Sequence, residues 1–354
     1  MHSIADVEIE KKRQEIQQKL FNSGAASIEL NTINGAYSSD FSLEAQPVFL
    51  DPEVNFSKFP ELVLLNQTSN KPAIFWFHSV GSVQPYLGLA EHTDRPFYGI
   101  EARGFRTKRA PLYGVQAIAA YYVQIIMSVQ PVGPYDLGGY SLGGLIAYEV
   151  TRQLQELGEV VNTIVMIDTL DSSVSEATRN ISYKSRLLQG ANHTLAANLI
   201  QNQEKIPLLL IDRKEVDWTL DEKHIVQHLS CLAIERGAFQ SDEEMQIRIL
   251  RMAELQTAYE YERYTIRPLL RPREPVCYFF RNKNGILFGE LSKFFWIAED
   301  EGAVDHLVYW KLWQDNFSKF EIIDIDASTH MTMLTEEKAS QPIIKFCKQL
   351  YSEQ

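Results

Sequence analysis

The chain has 354 residues, 45% of them hydrophobic and 23% charged, an ordinary globular balance that allows one large domain or two small ones. A formal net charge of -12 argues against nucleic acid or an anionic membrane as a partner, because binding phosphates needs a basic face and no segment supplies one. Three widely spaced cysteines, Cys231, Cys277 and Cys347, suggest neither a disulfide framework nor a zinc site; with a polar N-terminus and no bilayer-length apolar run, a soluble cytoplasmic protein is expected.

Residues 7–21 place charges between Ile9, Ile16, Leu20 and Phe21, which suits a solvent-facing helix with a narrow apolar stripe. Residues 22–58 scatter Ser, Asn, Gly and Pro among isolated apolar residues and read as a linker. An N-terminal segment, 1–60, is thereby set apart from a compact domain over 61–354. Within that domain strands are predicted at 73–77 and 97–100 with a helix start at 85–91 between them, and a helix follows at 115–129. A short buried strand at 134–138 gives way to a helix at 142–157, spaced by Leu145, Ile146, Val150 and Leu154, and then to a strand at 163–168. Over about 170–272 helical stretches dominate, as at 222–236 and 242–261. An insertion of that length covers the strand ends where an active site lies, so it is read as a lid. Strands resume at 276–280 and 320–325, and a helix over 341–351 closes the chain. Buried strands separated by helices imply a mostly parallel sheet, and the order of elements fits an α/β-hydrolase fold.

The strongest local signal is Gly139-Tyr140-Ser141-Leu142-Gly143, which sets a serine between glycines at a strand-to-helix turn. Such a turn is tight, exposes the hydroxyl above the sheet and points a helix N-terminus at developing negative charge, which marks Ser141 as a nucleophile. A serine hydroxyl needs a base and a third group to orient that base. In hydrolases of this chain order the base follows the last strand, and His330 stands there, after 320–325. His306 lies in a charged stretch and reads as solvated. The acid has two usual places. After 276–280 come Arg281, Asn282, Lys283 and Asn284, none a carboxylate, whereas Asp168 ends the strand after the elbow helix, with Asp171 as its neighbour and competitor. An oxyanion hole needs two backbone N–H groups: one from Leu142 and one from the loop His78-Ser79-Val80-Gly81, for which Val80 is favoured and Gly81 is the alternative. His78 itself is expected to bond within that loop.

The blocks FWFHSVGSVQPYLGLA, FYGIEARGF, YDLGGYSLGGLIAYEV, IVMIDT and THMTML together resemble the type I thioesterase domains of polyketide synthases and nonribosomal peptide synthetases, and the related fatty-acid synthase thioesterases, over about residues 72–350. The resemblance implies Ser141 as nucleophile, His330 as base, Asp168 as acid and Val80 and Leu142 as oxyanion donors. It implies further an acyl or peptidyl carrier protein as partner, an acyl thioester delivered on that partner's phosphopantetheine arm, no cofactor or metal of the chain's own, and release by hydrolysis or macrocyclisation. Two positions depart from the family pattern: the usual His-Pro with paired glycines is His78-Ser79-Val80-Gly81 here, and the glycine two residues before the base is Ser328. Tyr259, Tyr261 and Tyr264 fall on the lid side, where aromatic residues at such spacing serve packing more often than substrate recognition. The alternatives are a stand-alone esterase or proofreading thioesterase, and a catalytically silent hydrolase fold used for binding.

Overall fold

Seven strands form one sheet in the order β1-β3-β2-β4-β5-β6-β7. They are β1 (Leu62–Leu64), β2 (Ile74–Phe77), β3 (Phe97–Ile100), β4 (Tyr135–Tyr140), β5 (Val161–Ile167), β6 (Val276–Asn282) and β7 (Lys319–Ile325). The computed structural model describes residues 59–66, 69–171, 181–197, 206–259, 264–295 and 310–352. The helix expected over 7–21 and the linker over 22–58 lie outside them. All pairings are parallel except β1 on β3. Three residues at an antiparallel edge carry too little period to be read from sequence, which is why β1 was not anticipated.

The central strands are apolar without alternation because helices cover both faces. In β2 all four residues are buried, and they sort by parity: Phe75 and Phe77 enter the cluster on one face, Ile74 and Trp76 the cluster on the other. A 3₁₀ turn, Gln84–Tyr86, leads into α1 (Leu87–Ala90), and α2 (Val115–Val129) and α3 (Leu142–Glu156) follow. The first face packs α2 through Ile118, Ile125 and Ile126 and α3 through Leu145, Ile146 and Val150. The second packs α1 through Leu89 and Ala90, and also the closing helix, Glu337–Ser352, through Ile343, Cys347 and Tyr351.

Between β5 and β6 stand α4 (Tyr183–Ala197), α5 (Ile206–Leu209), α6 (Glu222–Glu235) and α7 (Asp242–Tyr259). They hold a third core of their own, with Leu187, Leu195, Ile225, Leu229 and Ile249, which also takes in Phe294 and Phe295 of α8 (Ser292–Phe295). Asp221 caps α6, its carboxylate accepting the His224 N–H at 2.9 Å. α9 (Lys311–Asn316) lies just before β7, and the closing helix is α10. Neither α8 nor α9 was expected from sequence; both are shorter than two turns and leave little periodic signal. Among the described residues no helix is long and apolar enough to cross a membrane.

Candidate active site

β4 runs through Tyr140, two residues beyond the predicted end, so Ser141 sits directly at the strand terminus and α3 begins at the next residue. Its backbone is left-handed at φ 56°, ψ -122°, a conformation that costs a non-glycine residue about 1–3 kcal/mol and persists only where surrounding contacts impose it. One such contact is the Ser141 N–H donated to the Ile167 carbonyl at 2.8 Å. Gly143 makes the turn possible, since a Cβ there would stand 2.3 Å from the Phe77 carbonyl O.

Asp168 follows β5 with φ 47°, and its N–H bonds the Phe280 carbonyl at 2.7 Å. The structure brings it to His330: the carboxylate Oδ2 lies 2.8 Å from His330 Nδ1, and His330 Nε2 lies 3.0 Å from Ser141 Oγ. The carboxylate is fully buried and its other oxygen accepts the Asn282 backbone N–H at 3.0 Å. The second possible acid position therefore holds an amide that helps to seat the acid supplied by the first. Asp171 points elsewhere, its Oδ2 accepting the Leu312 N–H at 3.3 Å.

His330 is anchored from several sides. Its N–H is shared between the Ile286 and Leu287 carbonyls at 2.9 and 3.0 Å, and the Tyr140 hydroxyl donates to its carbonyl, with the two rings 4.9 Å apart. Ser328, where the family pattern has glycine, donates its N–H at 2.8 Å and its hydroxyl at 3.0 Å to the Glu336 carboxylate, which ties the loop before the base to the approach of α10. Tyr86, fully buried, accepts the Tyr140 N–H at 3.0 Å and donates to the Phe77 carbonyl at 2.7 Å. Its hydroxyl thus joins the strand end that carries the nucleophile to the one that carries the oxyanion loop. Tyr86, Tyr140 and Asn282 were not singled out from sequence. Their bonds span 54, 190 and 114 residues, and each of the three uses a backbone group that looks the same in every residue.

His78 does not bond only within its loop. Its Nε2 meets the Tyr122 hydroxyl of α2 at 2.8 Å, and that hydroxyl donates to the Glu101 carbonyl just after β3 at 3.1 Å. Burial pulls its pKa down to about 3 against the opposing pull of a Ser79 backbone hydrogen bond, so the ring is neutral. The loop beyond it is pinned by the Ala102 N–H donated to the Gly81 carbonyl at 2.9 Å. The backbone N–H groups of Val80 and Leu142 have no hydrogen-bond partner among the described residues, and both residues line the cavity onto which Ser141 opens.

That cavity has a volume of about 1480 Å³ and reaches from Ser141 and His330 up to the inner faces of α4 and α7. Its floor is apolar, with Leu142, Leu145 and Leu170. Tyr259 lines it, whereas Tyr264 is buried against α3 and donates to Glu149 at 2.8 Å; Tyr261 and His306 lie outside the described residues.

Residues 72–351 match the family model of the thioesterase domain. The chain is 44% identical over 295 residues to the polyketide synthase PksR of Bacillus subtilis (strain 168), covering 83% of this chain but 12% of that protein. Among solved structures it is similar to holo-AB3403, a four-domain nonribosomal peptide synthetase bound to AMP and glycine, with a TM-score of 0.60 and 20% identity over 82% of this chain and 20% of that one. It is also similar to the wild-type Vlm2 thioesterase domain, with a TM-score of 0.51 and 19% identity over 81% of this chain and 96% of that one. At such identities the structural likeness speaks for the α/β-hydrolase fold, while the match over residues 72–351 speaks for the family: the chain belongs to the thioesterase domains.

Proposed function

We propose that this chain is a serine thioesterase that takes an acyl chain, polyketide or peptide in kind, from the phosphopantetheine thiol of a carrier protein and releases it through an acyl-Ser141 intermediate. The single observation that carries the reading is the hydrogen-bonded series Asp168–His330–Ser141 at the floor of a 1480 Å³ cavity. His330 Nε2 takes the Ser141 proton as Oγ attacks the thioester carbonyl, and Asp168 holds the ring and stabilises the imidazolium. The oxyanion forms between the backbone N–H groups of Leu142 and Val80, neither of which has a partner among the described residues, and both residues line the cavity. The tetrahedral adduct collapses with loss of the carrier thiolate, which takes the proton from His330.

In the second half His330 deprotonates the acceptor. Water gives a free acid, and a hydroxyl or amine of the chain itself gives a ring; the cavity decides which acceptor reaches the ester. The reading asks for no cofactor or metal of the chain's own, since the thioester arrives already activated. Incubation with an acyl-loaded carrier protein should add the acyl mass to a peptide containing Ser141 and liberate the holo-carrier, and Ser141→Ala should do neither. Full turnover by Ser141→Ala would end the proposal. Faster turnover of free oxygen esters than of carrier-bound thioesters would replace it with a stand-alone esterase, and failure of a fluorophosphonate to label the folded protein would replace it with a silent binding fold.

A further inference from the structure

The cavity has polar groups in its roof that the chemistry at Ser141 leaves unused. α4 and α7 cross at Gly190, where a Cβ would stand 2.9 Å from the Ile249 carbonyl O and 3.1 Å from the Ala253 N; the glycine lets the two backbones approach. Three residues beyond that crossing on each helix stand His193 and Gln256, and both line the cavity.

Neither is loosely placed. Asn192, fully buried beside His193, donates to the Ile211 and Phe294 carbonyls at 2.9 and 2.8 Å and accepts the Ile211 N–H at 2.8 Å, so α4 is locked to the segments on either side of it. The His193 ring packs 5.0 Å from that of Phe295. Gln256 is only 4% exposed. Yet among the described residues neither ring nitrogen of His193 has a hydrogen-bond partner, and the Gln256 carboxamide oxygen is buried with none. A native structure leaves few buried polar groups unsatisfied, and polar groups beside a cavity take their partners from what fills it, water or substrate.

The kind of group they fit follows from their chemistry. Burial holds the His193 pKa down at about 4, so at neutral pH the ring is uncharged and offers one donor and one acceptor. A carboxamide offers both as well. A saturated alkyl chain gives these positions nothing, and a carboxylate gives acceptors alone. A hydroxyl or a secondary amide donates and accepts.

We propose that His193 and Gln256 form a hydrogen-bonding subsite in the lid that selects acyl chains carrying a hydroxyl or secondary-amide group over saturated ones. The proposal rests on the cavity being the acyl site of the thioesterase described above. It is tested with N-acetylcysteamine thioesters of one chain length, one saturated and the others bearing a single hydroxyl or amide at successive positions, in single-turnover acylation of Ser141 read by mass spectrometry. At least one substituted position should react about tenfold faster than the saturated chain or more, the scale of a hydrogen bond that would otherwise leave a buried partner unpaired. His193→Phe and Gln256→Leu should each bring that rate down to the saturated level, while His193→Asn, which keeps a neutral donor and acceptor, should retain part of the gain; melting curves and near-ultraviolet circular dichroism verify the fold. Equal rates for all chains in the wild type, or a gain untouched by both apolar variants, would overturn the subsite. The corresponding free acids, titrated into Ser141→Ala by calorimetry, read the same preference without acyl transfer. Preference without acylation counts against the nucleophile alone, and equal affinity for every acid counts against the subsite.

Discussion

Asp168→Asn separates the orienting role of the acid from its mere presence, because the structure dictates how an amide would sit. The Asn282 backbone N–H, 3.0 Å from Oδ1, is a fixed donor and needs an oxygen opposite it. The new carboxamide must place its oxygen there, and its NH₂ then faces His330 Nδ1 across the 2.8 Å contact. Nδ1 becomes the acceptor and the ring proton moves to Nε2, which now presents N–H to Ser141 Oγ at 3.0 Å and can no longer take its proton. A wrong tautomer of this kind lowers the rate on the order of 10⁴-fold, or about 5 kcal/mol of transition-state stabilisation. The assay is single-turnover acylation by an N-acetylcysteamine thioester at saturating concentration, with melting curves alongside, since shape and burial barely change. Retention of more than about a tenth of the wild-type rate, well above what a wrong tautomer permits, would show that Asn282 does not dictate the amide's orientation or that His330 is not the base.

Three further outcomes are expected. Tyr86→Phe removes the hydroxyl that bonds both the Tyr140 N–H and the Phe77 carbonyl; it should cost about 1–3 kcal/mol in urea unfolding and lower kcat with little change in KM, and an unaltered kcat would refute its positioning role. Gly143→Ala drives a methyl to within 2.3 Å of the Phe77 carbonyl O; displacement of the elbow should cost on the order of 100-fold in acylation, and near-normal turnover would contradict the close approach. For Glu149 burial works to raise the pKa, but hydrogen bonds from Arg152, Gln153 and Tyr264 and the Arg152 charge outweigh it and hold the carboxyl below its ordinary value. The native state therefore takes up this proton less readily than the unfolded chain, so the contribution is full above the ordinary glutamate pKa of about 4.3 and shrinks as pH falls through the native value. Urea midpoints followed from pH 7 downward should fall less steeply for Glu149→Gln than for wild type, and parallel curves would show that the carboxylate is not held in this way.

What could be read from sequence, and what could not, divides by the range of the interaction. The strand at 97–100 and the helix at 115–129 coincide with β3 and α2 because buried runs and helical spacing are local patterns. Ser141, Asp168 and His330 could be singled out because each follows a recognisable strand, and parallel strands bring their ends to one edge of the sheet. The partners of those residues had no such signature. Nothing local to Asn282 says that its backbone N–H meets a carboxylate 114 residues away, and Tyr140, the residue before the nucleophile, holds the carbonyl of the base. Ser328 read as a departure from a family glycine; only the fold shows Glu336 positioned to receive both its donors. His193 falls in the stretch read as the lid, and nothing local to it says that it lines a cavity with no hydrogen-bond partner for its ring among the described residues.

The same bonds explain why chemistry and chain selection can vary separately in this molecule. The Ser141 N–H leans on the last carbonyl of β5, the Asp168 N–H on Phe280 of β6, and the Asp168 carboxylate on the N–H of Asn282, also in β6. Each step across the sheet thus supports the one before it, and two residues in left-handed backbone, at φ 56° and 47°, are held by carbonyls belonging to the neighbouring strand. That strain, about 1–3 kcal/mol a residue, is opposed by a sheet whose parallel strands are packed on both faces, with α7 joining the first face through Met252, Leu255 and Tyr259. α4 and α6 rest on a core of the lid's own, which α7 shares. A change in α4 can therefore reshape the roof over the acyl chain without moving Ser141 relative to His330, whereas a change at Tyr86 or Gly143, or at the end of α7 where the Tyr259 ring lies 5.5 Å from that of His78, acts near the reacting atoms whatever chain is bound.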